Sequence, residues 1–453
     1  MTVKKNTINM TEGPIFKQIA MFAFPLLISN LLQLFYNAAD LIVVSNYAGS
    51  LAMGAVGATN SLTAMLVTAV VNISVGANVV VARRFGANDK NGMDRAMHTA
   101  LALALILGSI VTVSAECLSA PILRIMDTPA DVLGGAVLYT RILYLGVPAQ
   151  MVYNFCAAIL RAMGDTKRPM YILGLSGIVN VVLNLIFVIV FRIDIAGVAI
   201  ATVVSQYLSA VFALLFLAKG KQEFRINLRK IRVYKKELLE ILHIGIPSAI
   251  SGSLISFSNV MVTSSVNSFG SMAISGYAAA NSIDSFVYMG MNSVSQATLT
   301  AVSQNYGAKN PKRMFKCMRR CMYFTVAVGL ILGWIVVIFS KPLLGIYIKD
   351  SAEALEFAHI KNLYLCSVYF ICGIMEVLSQ TTRGLGYPTL TTINAVWTLV
   401  GTRIIWINFI LPLNHCPELL FACWIVSWLI SITAHAVTLV LVKKKAIAKM
   451  YAQ

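Results

Sequence analysis

The sequence predicts an all-α membrane protein with twelve transmembrane helices, arranged as two six-helix bundles related by pseudo-two-fold symmetry. Three observations support this fold class. The 453 residues are 58% hydrophobic and only 12% charged, about half the charged share of an ordinary soluble protein. The hydrophobic residues form blocks of roughly 20 to 30 residues, long enough to cross about 30 Å of hydrocarbon as helices. The two halves of the chain also resemble each other.

Twelve hydrophobic blocks lie between polar breaks, and a basic segment separates the first six from the last six. The predicted spans are 14–45, 51–82, 96–117, 132–160, 170–191, 195–218, 238–268, 272–304, 317–339, 352–382, 388–411 and 418–442. The predicted organisation is a cytoplasmic N-terminal tail, an N-lobe, a cytoplasmic linker, a C-lobe and a basic cytoplasmic tail: residues 1–13, 14–218, 219–237, 238–442 and 443–453.

Positive charge is distributed unevenly along this pattern. If both termini are cytoplasmic, 29 of the 36 Lys and Arg residues lie on the inner side, in the loops and tails or at Lys17. The other seven, which include Lys361 and Arg403, lie on the outer side or inside spans. Cytoplasmic loops of membrane proteins are enriched in Lys and Arg. We therefore expect a bacterial inner-membrane protein with both termini in the cytoplasm. Topology accounts for most of the net charge of +18, so we expect no nucleic-acid partner.

The two halves align at an offset near 222 residues. GSLAMGAVGATN at 49–60 matches GSMAISGYAAAN at 270–281, and Pro25 matches Pro247. Six spans plus six, both sets starting inside, make a parallel repeat. Such repeats are typical of transporters, in which substrate binds between the repeats and one moves against the other.

Proline and glycine predict local bends and helix ends. Pro148 lies inside the fourth span, where its missing N–H and its ring bend a helix. Gly164 and Gly386 follow the ends of the fourth and tenth spans. We expect both glycines in the left-handed conformation that closes a helix.

Asp40, late in the first span, is the clearest ionisable residue inside a hydrophobic block of the first half. A charged side chain at mid-membrane costs about 2.5–3.5 kcal/mol on insertion scales, so it usually faces a cavity or a partner. Packing or capping near the span end is the alternative. Gln33, Tyr36 and Asn37 share a helical stripe with Asp40, and we expect them to line the substrate cavity. Asn154, Asn180, Asn184 and Thr202 form with Asp40 an oxygen-rich set suited to a proton or a hard monovalent cation.

The second half has its own polar stripes. Asp284 and Tyr288 share one face of the eighth span, and Glu376 lies on the tenth. We expect these three residues to line a substrate cavity, with an ion pair between Glu376 and Arg383 as the alternative for that acid. Arg403, inside the eleventh span, needs an anion or carbonyl groups, and Asp284 or Glu376 are its candidate partners.

The chain resembles the MATE (multidrug and toxic compound extrusion) family over residues 14–442. The segments that carry the resemblance are FAFPLLISNLLQLFYNAADLIVVSNYAG, SVGANVVVARRFGANDKNGMDRAMHTAL, YNFCAAILRAMGDTKRP, QNYGAKN and RGLGYP. The resemblance implies a V-shaped fold of two six-helix bundles. It also implies antiport, in which a proton or sodium ion enters as a cationic drug leaves.

Individual residues carry over from the family by motif position. The resemblance aligns Asp40 with the coupling aspartate of the first span, and Asn154, Asn180 and Thr202 with polar members of the cation site. Asn184 stands where the family often has an acid, which weakens the case for tight sodium binding. The acids of the second half match the family's motifs only loosely.

We therefore expect a secondary active antiporter rather than an enzyme, exporting cationic amphipathic compounds by alternating access. The expected partners are organic cations and the lipid bilayer, the expected state is a monomer, and no cofactor is expected beyond H⁺ or Na⁺. The histidines and cysteines show no metal-ligand spacing, so the one metal considered is Na⁺ at Asp40, Asn180 and Thr202.

Two other functions are weighed against this one. A lipid-linked oligosaccharide flippase of the same superfamily would need an arginine-rich cavity for pyrophosphate, and interior arginines are few. A membrane-embedded enzyme would show a metal or nucleophile motif, and the sequence has no HExxH, GxSxG or Walker loop.

Overall fold

A computed structural model describes residues 7–43, 47, 49–126, 128–191, 193–219, 225–349 and 351–452. Across these residues, all regular secondary structure is helical. Parts of the predicted tails and linker lie outside the described residues: 1–6, 220–224 and 453.

The α-helices follow one another in chain order within the described residues. They are α1 (Ile15–Val43), α2 (Gly49–Gly86), α3 (Lys90–Ile125), α4 (Ala130–Leu145), α5 (Val147–Ala162), α6 (Lys167–Leu185), α7 (Asp194–Lys219), α8 (Lys235–Val266), α9 (Ser271–Gly307), α10 (Pro311–Ile338), α11 (Ser340–Leu344), α12 (Ala352–Cys366), α13 (Tyr369–Gly384), α14 (Pro388–Ala395), α15 (Thr402–Ile405) and α16 (Pro417–Ala452). Wider π-helical turns occupy Ile186–Val190, Val396–Gly401 and Trp406–Ile410.

The twelve predicted spans correspond to these helices. The fourth span is α4 with α5, the tenth is α12 with α13, and the eleventh runs from α14 through α15. Among the described residues, nine helices are long and apolar enough to cross a membrane, or eleven if each bent pair is one span. The twelfth long helix is α9, which is less hydrophobic because polar side chains lie along its length. The predicted all-α membrane fold is confirmed.

Two spans are bent at equivalent positions of the repeat. α4 and α5 meet at 43°, and α12 and α13 meet at 47°. Pro148 has no N–H to donate to the carbonyl of Tyr144, and Thr112 Oγ1 donates to that carbonyl at 2.7 Å instead. The bend predicted at Pro148 is confirmed. The second bend has no proline and was not predicted.

Glycines on neighbouring helices let both bends pack closely. A Cβ atom at Gly108 of α3 would lie 2.6 Å from Pro148 Cα, and one at Gly329 of α10 would lie 2.8 Å from Phe370 Cα. Such distances leave no room for a side chain, so both glycines are required by close approach. The second bend is thus accommodated by packing. The left-handed glycines predicted after α5 and α13 are also confirmed, with φ of 84° and 90° at Gly164 and Gly386.

The chain divides into two compact units. Unit 1 contains residues 7–8 and Ile28–Gly245, and unit 2 contains Asn9–Leu27 and Ile246 onward. The boundaries fall inside α1 and α8, a few residues from Pro25 and Pro247 respectively. The start of α1 therefore belongs to the unit that otherwise begins at Ile246, a short exchange that the repeat pattern did not predict.

Hydrogen bonds hold residues 10–13 against α9 and α10 in unit 2. Met10 N donates to Gln304 Oε1 at 2.9 Å. Arg313 donates to the carbonyl oxygens of Met10, Glu12 and Gly13 at 3.0, 2.7 and 2.8 Å. Arg313 thus binds the backbone that leads into α1, and it also donates to Gln18 Oε1 at 3.2 Å.

Candidate functional site

A polar cluster in unit 1 joins α1, α6 and α7. The amide nitrogen of Asn184 donates to Asp40 Oδ1 and also reaches Asn180 Oδ1 at 3.5 Å. Asn180 in turn donates to Thr202 Oγ1 at 3.4 Å. Asn184 is fully buried and Asn180 is nearly so. The structure thus brings together four of the five residues predicted for cation coupling.

Oxygen atoms dominate the chemistry of this cluster. Asn184 Oδ1 is buried and has no hydrogen-bond partner in the described chain. Leaving such an acceptor unpaired costs on the order of 1–3 kcal/mol, a cost that an arriving proton donor or cation removes. With the carboxylate of Asp40 and the hydroxyl of Thr202, the cluster offers a single negative charge and several neutral oxygens to a small monovalent cation.

Tyr36 fixes α1 against α6 one turn before Asp40. Its hydroxyl donates to the carbonyl of Gly174 at 3.0 Å. Its ring lies directly on Gly177, where an added Cβ would come within 1.8 Å of the ring. Glycine is therefore required on α6 at this point, and the resulting close approach places Asp40 beside Asn184.

Other predicted residues of the first half stand apart from the cluster. The amide of Asn154 donates to the carbonyl of Gln150 in its own helix at 2.9 Å. Gln33 and Asn37 are exposed on α1. Among the described residues, no hydrogen bond links these three side chains to the cluster.

Tyr139 is a neighbour of Asp40 that sequence reasoning missed. This residue of α4 lies within electrostatic range of the carboxylate and packs against a hydrophobic group that includes Val43 and Val188. A tyrosine in an apolar span carries no distinguishing signal in the sequence, so only the fold identifies it.

Asp284 pairs with a buried lysine in unit 2. Lys361 Nζ, on α12, lies 2.6 Å from Asp284 Oδ2 and donates to Asn281 Oδ1 at 2.6 Å. The ammonium also lies 4.9 Å from the centre of the Tyr277 ring. Lys361 is 1% exposed and Asp284 is 7% exposed. The lysine was not among the predicted site residues, although a basic residue deep in the tenth span was a visible signal.

A second group in unit 2 consists of Tyr288, one turn beyond Asp284 on α9, and Glu376 on α13. The phenol of Tyr288 lies within electrostatic range of Glu376 on α13. Gln380 and Arg383 follow Glu376 on the same helix, about one and two turns further along. Among the described residues no ion pair joins Glu376 to Arg383, so the predicted alternative role of this acid is wrong.

Arg403 uses neither of the predicted acids. Its Nη1 atom donates to Asn259 Oδ1 at 2.6 Å, and its guanidinium lies 5.2 Å from the Trp424 ring. Because Asp284 is already paired with Lys361, the predicted pairing with that acid is wrong. An amide and an aromatic face hold the buried cation instead.

The carboxylates of the two units therefore differ in electrostatic state. Asp284 is neutralised by Lys361, which is part of the chain. Asp40 is hydrogen-bonded to a neutral amide, and no basic side chain of the described residues forms an ion pair with it. A monovalent cation from outside the chain therefore fits the charge of Asp40 better than that of Asp284. No group of three or more His, Cys, Asp or Glu residues suited to a metal ion occurs in the described chain.

Comparison with known families bears directly on this arrangement. A family model described as MatE matches residues 25–186 and, a second time, residues 247–407. The chain belongs to the MatE family. The two matches begin 222 residues apart, at 25 and 247, so the offset predicted for the internal repeat is confirmed.

Relatives of this MatE chain extend along most of its length. "Probable multidrug resistance protein YoeA" of Bacillus subtilis is 28% identical over 401 residues, which are 86% of each chain. "Multidrug export protein MepA" of Staphylococcus aureus is 22% identical over 401 residues, 88% of each chain. The solved outward-facing conformation of a multidrug resistance MATE family transporter of the MOP superfamily aligns over 100% of both chains, with a TM-score of 0.88 and 22% identity. This last likeness shows a shared fold.

Proposed function

We propose that the protein is a secondary active antiporter of the bacterial cytoplasmic membrane, which exports cationic amphipathic compounds in exchange for H⁺ or Na⁺. Membership of the MatE family supports a transporter rather than an enzyme, and relatives named for multidrug resistance and export support small-molecule substrates. The observation that carries the coupling assignment is Asp40, a carboxylate within a hydrophobic span that bonds an amide and pairs with no described base.

In this mechanism, Asp40 is where the coupling cation binds. A charged carboxylate in a membrane span is costly, and a bound proton or sodium ion removes that cost. Unit 1 then closes around the neutral site more readily than around the charged one. The cation drives the change because it binds one state more tightly than the other; equal binding to both states would move nothing.

The same cluster accommodates either ion. A proton requires only the carboxylate of Asp40. Sodium requires several oxygens, for which Asn180, Thr202 and the unpaired Oδ1 atom of Asn184 are available. Because Asn184 is neutral, the site holds one negative charge, matching one monovalent cation. Asn154 is proposed as a further polar member on the strength of the family pattern.

The proposed substrate-binding residues lie in both units. The first unit contributes three residues of α1: Gln33, Tyr36 and Asn37. The second contributes Tyr288, Glu376 and Asp284, and the charge of Asp284 is already balanced by Lys361. Tyrosine faces attract cations by about 0.5–2 kcal/mol, so Tyr288 beside the half-buried Glu376 suits a flat organic cation. We also propose an N-lobe at 14–218, a C-lobe at 238–442, cytoplasmic termini and a monomeric state.

Proteoliposomes test the function and identify the ion. Uptake of a fluorescent lipophilic cation would be followed while a pH gradient or a sodium gradient is imposed separately. The proposal expects one gradient to drive uptake, and its direction to reverse when the gradient is reversed. Uptake that ignores both gradients would overturn it.

The flippase alternative is not favoured. Pyrophosphate recognition would require free interior arginines, and Arg403 is engaged by Asn259 and Trp424. Thermal stabilisation by a lipid pyrophosphate but by no organic cation would reverse this preference.

A further inference from the structure

An open groove runs along an exposed face of α10 in unit 2. Its volume is about 360 Å³. One wall is Phe16 of α1, whose ring meets Phe324 edge-on with 5.2 Å between centres. The other lining residues recur at spacings of three and four along α10: Arg320, Tyr323, Phe324, Ala327, Val328 and Ile331.

The length of the groove matches half of a bilayer. From Arg320 to Ile331 the helix rises roughly 16 Å at 1.5 Å per residue, and one leaflet of a hydrocarbon core of about 30 Å is roughly 15 Å deep. Beyond Arg320 the lining is almost wholly apolar, and Tyr323 and Ile331 are more than 60% exposed. One acyl chain fits the depth and the chemistry of this surface.

Positive charge is confined to one end of the groove. Arg320 is exposed and has no acidic partner within the described chain, and the exposed Lys316 and Arg319 precede it on α10. The last turns of α16 approach the same end, because Lys443 Nζ lies 4.7 Å from the ring centre of Phe315. Basic clusters next to membrane helices attract anionic headgroups.

We propose that this groove is a binding site for an anionic phospholipid, with an acyl chain between Phe16 and α10 and the phosphate at Arg320. The assignment of the lipid to the cytoplasmic leaflet rests on the proposed orientation of the chain. The site itself does not depend on that orientation or on transport. Because Phe16 lies in the first turn of α1, a bound lipid also secures the start of that helix to α10.

Thermal unfolding in detergent tests the site without a transport assay. Phosphatidylglycerol and phosphatidylcholine with identical acyl chains would be titrated against wild type, with soluble glycerol 3-phosphate as a third arm. We expect saturable stabilisation by phosphatidylglycerol, weaker stabilisation by phosphatidylcholine and none by glycerol 3-phosphate. Equal stabilisation by both lipids, or full stabilisation by glycerol 3-phosphate alone, would overturn the proposal.

Two pairs of variants separate a specific site from general attraction. Arg320→Gln should weaken phosphatidylglycerol binding about fivefold, whereas Arg319→Gln removes the same charge from a residue outside the groove and should leave binding near wild type. Ala327→Trp should fill the groove and abolish saturable binding, whereas Leu330→Trp, on a neighbouring exposed face, should preserve it. Equal losses within either pair would contradict the assignment.

Discussion

The buried pair of Lys361 and Asp284 makes a sharp prediction about stability. Their charged atoms are 2.6 Å apart, and both side chains are buried. Replacing Lys361 with methionine keeps a long unbranched side chain, one atom shorter, but leaves the carboxylate of Asp284 buried without its cation. Removing one partner of a buried ion pair costs about 3–5 kcal/mol. The double variant Lys361→Met/Asp284→Leu removes both charges and should recover most of that loss, because an apolar replacement of a buried pair is often neutral or stabilising.

The midpoint of thermal unfolding at a fixed scan rate measures this effect, since membrane proteins commonly unfold irreversibly. If unit 2 unfolds cooperatively, roughly 2 °C per kcal/mol for a domain of that size gives a decrease of about 6–10 °C for Lys361→Met. The matched control is Lys341→Met, because the Lys341–Glu356 pair is 3.8 Å apart with both side chains 59% exposed. Such surface pairs contribute less than about 1 kcal/mol. A single variant as stable as this control, or a double variant no better than the single, would refute the reasoning.

Three further predictions concern the cation site and the packing around it. Asn184→Asp places a second carboxylate beside Asp40 and should raise the affinity for Na⁺ by roughly tenfold or more, measured as sodium-dependent thermal stabilisation; an unchanged sodium response would contradict the proposed site. Gly177→Ala should displace the Tyr36 ring and lower the free energy of unfolding by about 1–3 kcal/mol. Gly174→Ala is the control and should be tolerated, because its added Cβ would lie 3.7 Å from the nearest neighbouring atom. Equal midpoints of thermal unfolding for the two variants would argue against this packing. Gly329→Ala should destabilise the bend between α12 and α13 by a similar amount, and a wild-type midpoint would show that the bend does not need this glycine.

The sequence predicted the fold because membrane insertion imposes strong, local constraints. Hydrophobic length sets the spans, and the positions of Lys and Arg give the expected orientation. The repeat was visible because equivalent loops and small residues keep their spacing, and the two family matches at 25–186 and 247–407 confirm it. The bend at Pro148 was predicted because a missing N–H has a local effect. The equivalent bend after α12 depends on close packing against Gly329, a tertiary contact that no local pattern records.

The cation cluster was more predictable than the partners of the buried charges. Asn180 and Asn184 are four residues apart on one helix, so their shared face followed from helical geometry. The pairing of Asp284 with Lys361 joins positions 77 residues apart, and the sequence pattern suggested Arg403 rather than Lys361 as the partner of Asp284. Burial of Lys361 depends on how α12 packs against α9. The charge pattern alone does not contain this contact, so it placed Lys361 on the outer side or inside a span and gave it no role.

Transport by the Asp40→Asn protein in proteoliposomes tests the central claim most directly. Binding of the fluorescent cation to the purified variant, measured by equilibrium titration, would first establish that the protein is folded and retains its substrate site. Glu116→Gln serves as the matched control, because it neutralises an acid of unit 1 that lies outside both proposed sites and pairs with Arg141 at 3.6 Å. The account predicts that Asp40→Asn binds the dye but shows no uptake driven by a pH or sodium gradient, whereas Glu116→Gln keeps gradient-driven uptake. Gradient-driven uptake by Asp40→Asn at the wild-type rate would contradict the assignment of Asp40 as the coupling residue.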